Sequence, residues 1–256
     1  MFHKYKKILN IIIFHFNEFK YKKKCRKYFN NEFLIKNIRK IKQEDLDIFS
    51  KHIYDKEFRV LKHRCERYIN ISKILDKIKT SKEKICVVEF GVFRGDSYLF
   101  FSRNLNYEKN KIIGIDTFKD FPKSNRRWKK GKFTNTSKNL VEKLLNKYNL
   151  KCKNFLIKSS FSDKNLKKKI TSLTNEINIF HFDCDQYEST VQALSVSKPF
   201  ILNQKISYLL FDDWGCFEDQ VPKAFNEFFQ KHKNKIRYEV ISNTFYTMYL
   251  KVNLIK

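Results

Sequence analysis

Residues 177–213 read INIFHFDCDQYESTVQALSVSKPFILNQKISYLLFDD. Two short apolar runs, Ile177 to Asp183 and Ser207 to Phe211, are rich in β-branched and aromatic residues, and each ends in acids. The stretch between them is too long for a hairpin and has the length of one crossover helix, so the two runs read as neighbouring parallel strands. Asp183 and the Asp212–Asp213 pair then meet side by side at one sheet edge.

Working outward, the same rhythm of short β-rich run, polar or glycine punctuation and helical stretch recurs in Ile85 to Phe90, Ile112 to Asp116 and Phe155 to Ile157. Leu140, Val141, Leu144, Leu145 and Tyr148 mark one amphipathic helix, and Val221, Ala224, Phe225 and Phe228 another. The final two runs, Tyr238 to Ser242 and Phe245 to Val252, lie too close together for a crossover and must pair antiparallel. The fold class is therefore α/β: a mostly parallel, doubly wound sheet closed by a C-terminal antiparallel hairpin. Before it, Phe58, Leu61, Cys65, Tyr68, Ser72 and Leu75 follow a three-four spacing that predicts a helix towards Lys79. We divide the chain into a basic N-terminal extension (1–50), a helical segment packing on the core (51–80) and the α/β domain (81–256).

Composition narrows the function. The 256 residues carry 54 Lys+Arg against 27 Asp+Glu, a formal charge of +27, and 42% are hydrophobic, which excludes a disordered chain. Such a charge points to nucleic acid or another polyanion, and Tyr21 to Phe33 interleaves basic and aromatic residues. The bases are 44 Lys and 10 Arg beside abundant Asn and Ile, however, as an AT-rich coding sequence would produce, so the charge is discounted. Six scattered cysteines form no C-x-x-C pair, which favours reduced thiols and a cytoplasmic location. The apolar stretch Ile8 to Phe16 is too short to span a bilayer, leaving a surface helix or peripheral contact with anionic lipid.

In open α/β sheets ligands sit beyond the carboxyl ends of the strands. After the first strand, Glu89 to Ser97 (EFGVFRGDS) carries two glycines that allow a tight turn and close backbone approach, with Asp96 or Ser97 as the cap of the next helix. A strand-turn-helix corner needs glycine for itself, so this signal is weak alone. About twenty residues on, Asp116-Thr117 is placed to accept hydrogen bonds from ribose hydroxyls, or simply to hold a turn. Ser160 and Phe161 could border an adenine ring. The converging acids Asp183, Asp212 and Asp213 would repel one another unless a cation lies between them, and their hard oxygens suit Mg²⁺. Lys123, Arg126, Arg127, Lys129, Lys130 and Lys132 surround Trp128 where a lid over an acceptor would lie: a solvated loop, or forked donors and a stacking face for an anionic sugar or base.

Glu89 to Ser97, Asp116 to Pro122 (DTFKDFP), Asp183 to Thr190 (DCDQYEST) and Asp212–Asp213 resemble, in order and spacing, the macrocin O-methyltransferase family of the TylF/MycF type. The resemblance covers roughly residues 55–252, and the Tyr-Glu-Ser-Thr run after a strand-end Asp is its most specific piece. It implies a Rossmann-like class I methyltransferase with a seven-stranded sheet, dependent on S-adenosylmethionine and Mg²⁺, that methylates sugar hydroxyls. Glu89, Gly91, Gly95 and Ser97 would shape the S-adenosylmethionine pocket together with Asp116, Thr117, Ser160 and Phe161. Asp183, Asp212 and Asp213 would ligate the metal, and Tyr187, Arg126, Arg127 and Trp128 would meet the acceptor.

Family members of this kind have a histidine base after the second strand, yet residues 117–153 contain none. The candidates for the proton are therefore Asp183, Asp185 and His181. The partner expected is a sugar or glycoside acceptor, without a transmembrane segment and with a homo-oligomer compatible. Two alternatives remain from the residues alone: an RNA methyltransferase, drawing on the basic N-terminus, and an inactive methyltransferase fold kept as a basic scaffold. A nicotinamide dehydrogenase ranks below these because the G-x-G-x-x-G pattern is absent.

Overall fold

The computed structural model describes residues 58–119, 134–214, 220–243 and 246–255. The extension 1–50 and the basic loop with Arg126, Arg127 and Trp128 lie outside the described residues.

Seven strands and six helices alternate along the described chain: α1 (Phe58–Lys79), β1 (Cys86–Phe90), α2 (Asp96–Asn104), β2 (Lys111–Asp116), α3 (Lys138–Leu145), β3 (Lys153–Lys158), α4 (Leu166–Thr171), β4 (Ile179–Phe182), α5 (Tyr187–Ile201), β5 (Ile206–Phe211), α6 (Gln220–His232), β6 (Ile236–Asn243) and β7 (Met248–Leu254). The strands form one sheet in the order β3-β2-β1-β4-β5-β7-β6. Strands β1 to β5 run parallel, while β7 pairs antiparallel with both β5 and β6. Every expected strand is present, and the hairpin carries a register irregularity between Val240 and Ser242. Because β1 is flanked by β2 on one side and β4 on the other, the chain reverses its winding there, and the crevice opens at the carboxyl ends of β1 and β4.

Side-chain alternation along each strand divides the core in two. Val87, Ile112, Ile179, Leu210 and Tyr249 face a layer formed with α1, α2 and α3. Val88, Phe90, Ile113, Phe180, Phe182, Phe211 and Leu250 face α4, α5 and α6. The second layer is dominated by phenylalanine, with Phe90, Phe182 and Phe211 stacked across three adjacent strands at centroid separations of 5.5 and 4.7 Å.

Helix α1 is part of this core and not a loose neighbour. Tyr68, Ile71, Ile74, Leu75 and Ile78 are at most 2% exposed. In α3 the apolar stripe is narrower than the sequence suggests. Ser137 caps the helix by accepting from the Leu140 amide, which turns Leu140 to solvent, and only Val141, Leu144 and Leu145 are buried. The helix ends at Leu145, leaving Tyr148 in the following turn, packed against the core. At α2 the expected Asp96 or Ser97 cap gives way to Gly95 in a left-handed conformation, with the helix starting at Asp96. No described helix is long and apolar enough to cross a membrane.

Burial of α1 gives a direct test. Leu75→Ala removes a fully buried side chain and is expected to lower unfolding free energy by about 2–5 kcal/mol, read from urea denaturation; a change near zero would show that α1 is dispensable.

Candidate active site

The two-residue period that builds the core also lines up a set of charges. Glu89 lies two residues after Val87, His181 two after Ile179 and Asp212 two after Leu210, so all three side chains share the α1/α2 face of the sheet. Register places Glu89 beside His181 on β1 and β4, and His181 beside Leu210 on β5. Glu89 and His181 are fully buried and Asp212 is 1% exposed. The imidazole Nδ1 lies 2.9 Å from Glu89 Oε1, and its Nε2 lies 3.2 Å from Asp212 Oδ2. Ser97 Oγ donates to the same Glu89 oxygen. Asp212 also accepts from the Tyr249 hydroxyl at 3.3 Å, and its Oδ2 lies 2.5 Å from Nη1 of Arg67 on α1. Phe101 packs edge-on against the imidazole and closes it from above.

This chain of groups alternates two carboxylates with two cations, in the order Glu89, His181, Asp212, Arg67. Each buried ion costs several kcal/mol of desolvation, and only close, hydrogen-bonded opposite charge offsets it. Burial pulls the His181 pKa down, but Asp212 and Glu89 more than reverse this and hold it at about 10. Burial likewise opposes the Arg67 charge, while Asp212 and Asp183 raise its pKa further above the ordinary value. His181, one of the residues named for the proton, is a buried bridge with both ring nitrogens engaged. Glu89, expected at the cofactor pocket, points into the same interior, and so does Ser97.

The acids nearer solvent form a second group. Asp183, Asp185 and Asp213 each offer an oxygen within 4.8 Å of the others, and all three are partly exposed. Burial raises the Asp183 carboxyl to about 7; Arg67 opposes the shift, and Asp212 and Asp213 add to it. Three hard oxygen donors facing an open side fit a small dication that keeps water or substrate oxygens in its remaining positions. The other close grouping, His181, Asp183 and Asp212, already holds the Arg67 guanidinium against both carboxylates. Of the expected trio, Asp183 and Asp213 lie with Asp185 in the outer group, while Asp212 faces Arg67, His181 and Tyr249.

The glycine turn lies directly alongside. Gly91 has φ 91°, and a Cβ there would stand 2.0 Å from the carbonyl oxygen of Asp183, so the turn after β1 and the acid after β4 touch through backbone. Gly95 has φ 88°, and a Cβ there would come within 2.8 Å of Val141. Asp116 does not stand free. Its Oδ2 accepts from the amides of Val92 and Phe93 at 2.9 and 2.8 Å, and its Oδ1 from Phe118 at 2.7 Å, so it first shapes the turn and offers a ligand only its remaining lone pairs. Thr117 accepts from the Lys119 amide, Ser160 pairs with Ser162, and the Phe161 ring packs edge-on against Phe90. Tyr187, expected at the acceptor, donates its hydroxyl to Glu227 and carries Lys223 over its ring, tying α5 to α6.

Among the described residues, four non-glycine positions have positive φ: Phe93, Phe118, Asp185 and Asp213, at 50°, 51°, 57° and 56°. They follow β1, β2, β4 and β5 respectively, so backbone strain collects along the one edge where the acids and the glycine turn meet.

Arg67 and Tyr249 were missed from the sequence. Arg67 had a readable signal: it stands four, seven and eleven residues before Ile71, Ile74 and Ile78, on the buried stripe of α1, where a cation needs an acidic partner. Tyr249 had none, since its partner is fixed only by the β5–β7 register.

A seven-stranded sheet of this order, with a glycine turn after β1 and acids after β4 and β5, defines a Rossmann-like methyltransferase. The chain belongs to the TylF macrocin-O-methyltransferase family, whose model matches residues 14–251. The match begins well before residue 55, where the quoted motifs had set the limit. The protein is thus an O-methyltransferase. No curated protein matches the sequence. Among solved structures it is similar to the O-methyltransferase NovP (TM-score 0.58, 18% identity, 72% of this chain and 78% of that one). It is also similar to the calicheamicin methyltransferase CalS11 (TM-score 0.57, 16% identity, 88% and 95%), a TDP-rhamnose 3'-O-methyltransferase. A third is the S-adenosylhomocysteine-bound Podospora anserina methyltransferase PaMTH1 (TM-score 0.51, 12% identity, 94% and 96%).

The His181 bridge predicts a pH dependence. Its pKa is raised from an ordinary 6.5 to about 10 in the folded state, so its contribution is complete below 6.5 and disappears as pH climbs to 10. Urea denaturation should show wild-type stability falling across that window by at most ~1.4 kcal/mol per pH unit, and His181→Gln should lack this decline.

Proposed function

We propose that this O-methyltransferase transfers the methyl group of S-adenosylmethionine to a hydroxyl of a sugar or glycosylated small molecule, assisted by a divalent cation, Mg²⁺, held by Asp183, Asp185 and Asp213. The observation that carries the reading is the outer acid cluster abutting the glycine turn at the winding reversal of the sheet. The PaMTH1 and CalS11 likenesses support the choice of cofactor and acceptor class, respectively.

When bound, S-adenosylmethionine supplies an electrophilic methyl and Mg²⁺ lowers the pKa of an acceptor hydroxyl. The chain's own part is to bind, orient and take a proton. Gly91 and Gly95 keep side chains away from the turn, and Asp116 fixes the Val92 and Phe93 amides that form its rim. Asp183 and Asp185 each have a second carboxylate oxygen beside the one offered to the metal, and these oxygens are the acceptors for the hydroxyl proton. Bound there, S-adenosylmethionine would supply its sulfonium methyl to the acceptor oxygen and leave as S-adenosylhomocysteine, while Asp183 or Asp185 would take the hydroxyl proton. The free buried thiols Cys86, Cys152 and Cys184 accord with a reducing, cytoplasmic setting. The RNA reading of the charge rests on residues 1–50, outside the described residues.

Calorimetric titration with S-adenosylmethionine and S-adenosylhomocysteine, with and without Mg²⁺, tests the cofactor without knowledge of the acceptor; a folded protein that binds neither overturns the reading. With nucleotide sugars as acceptors, Asp183→Asn and Asp213→Asn should each lower Mg²⁺-dependent turnover by at least about 100-fold, while cofactor affinity changes little. Full activity in both variants would remove the metal assignment.

A further inference from the structure

The acidic edge already contains a cation of its own. We propose that Arg67 is a resident counter-cation that competes with a divalent metal for Asp183, and so sets how tightly the metal is held. This rests on the metal reading above.

Arg67 reaches the edge from α1, far away in sequence, and its Nη1 touches two acids unequally, at 2.5 Å from the buried Asp212 and 3.4 Å from Asp183. The strong contact is to the buried acid and the weak one to the acid shared with the outer cluster. Asp183 can therefore turn towards a dication while Asp212 keeps the guanidinium. The Arg67 side chain is 13% exposed, and its buried Nε makes no hydrogen bond among the described residues. Among the described residues the ionic partners of the guanidinium are these two carboxylates, and its Nε has no acceptor, so the hold on Asp183 is the weaker of the two. Its charge is permanent, because an arginine is not deprotonated in proteins, so the competition persists at every working pH. A dication bound by Asp183, Asp185 and Asp213 would lie next to this positive charge, and removing the charge should strengthen binding.

The test is Mn²⁺ binding to the full chain, followed by electron paramagnetic resonance of the free ion, with Mg²⁺ displacement by calorimetry. Arg67→Met is expected to bind Mn²⁺ at least about tenfold more tightly than wild type, and Arg67→Lys, which keeps the charge, to stay within about threefold. Unchanged or weaker binding in a folded Arg67→Met protein overturns the proposal. Equal Mn²⁺ binding by all three sinks only the role of Arg67, whereas no binding by any of them sinks the metal reading as well. Should Arg67→Met fail to fold, the ¹⁵Nε resonance of Arg67 in the wild-type chain, assigned through Arg67→Lys, decides the matter. It should move on Mg²⁺ addition, and a resonance that stays fixed overturns the proposal.

Discussion

The interleaving of Glu89, His181, Asp212 and Arg67 beneath the sheet edge is the interaction on which the rest of the site depends. Two carboxylates and two cations lie in the α1/α2 layer among Tyr68, Tyr98, Phe101 and Tyr249, where any one of them alone would be costly. Their alternation of sign makes the set tolerable, and it joins four elements that share no local sequence: β1, β4, β5 and α1. The set reaches the cofactor side through Ser97 at the start of α2, and the acid edge through Asp212 and its neighbour Asp213. An interior polar chain of this kind fixes where each strand ends in space, which is what a site assembled from strand ends requires.

Above this chain the backbone carries the strain. The turn after β1 has two glycines at φ near 90°, and the residues after β2, β4 and β5 add Phe118, Asp185 and Asp213 in the left-handed region. Aspartate visits that region at modest cost, but phenylalanine does so only where its surroundings hold it. Phe118 is held by its amide donating to Asp116, and Phe93 by the other oxygen of the same carboxylate. Asp116 thus acts first as an organiser of backbone, and the pocket rim owes its form to that use. The close approach of Gly91 to the Asp183 carbonyl links this rim directly to the acids.

Much of the fold was legible because its signals are local and periodic. The β-rich runs ending in polar residues or glycine gave five parallel strands, and the short gap after Ser242 forced an antiparallel pair. Errors arose where one residue type serves two ends. Leu140 fits an apolar stripe but lies just inside a serine cap, and tertiary packing needed only Val141, Leu144 and Leu145. Ser97 looks like a helix cap, yet its hydroxyl is claimed by Glu89.

Sequence by itself determined the class of the protein: the order of the strand-end motifs, the glycine turn and the acid pair are linear features that survive without coordinates. It also raised the expectation of a cation among the converging acids. Only the tertiary structure decided which acid faces which way. Asp212 and Asp213 are adjacent in the chain, but successive residues leaving a strand point to opposite sides, so one enters the ionic chain with Arg67 while the other turns outward to Asp183 and Asp185. That separation comes from register and from the arrival of α1, neither of which leaves a mark in the sequence around the acids themselves.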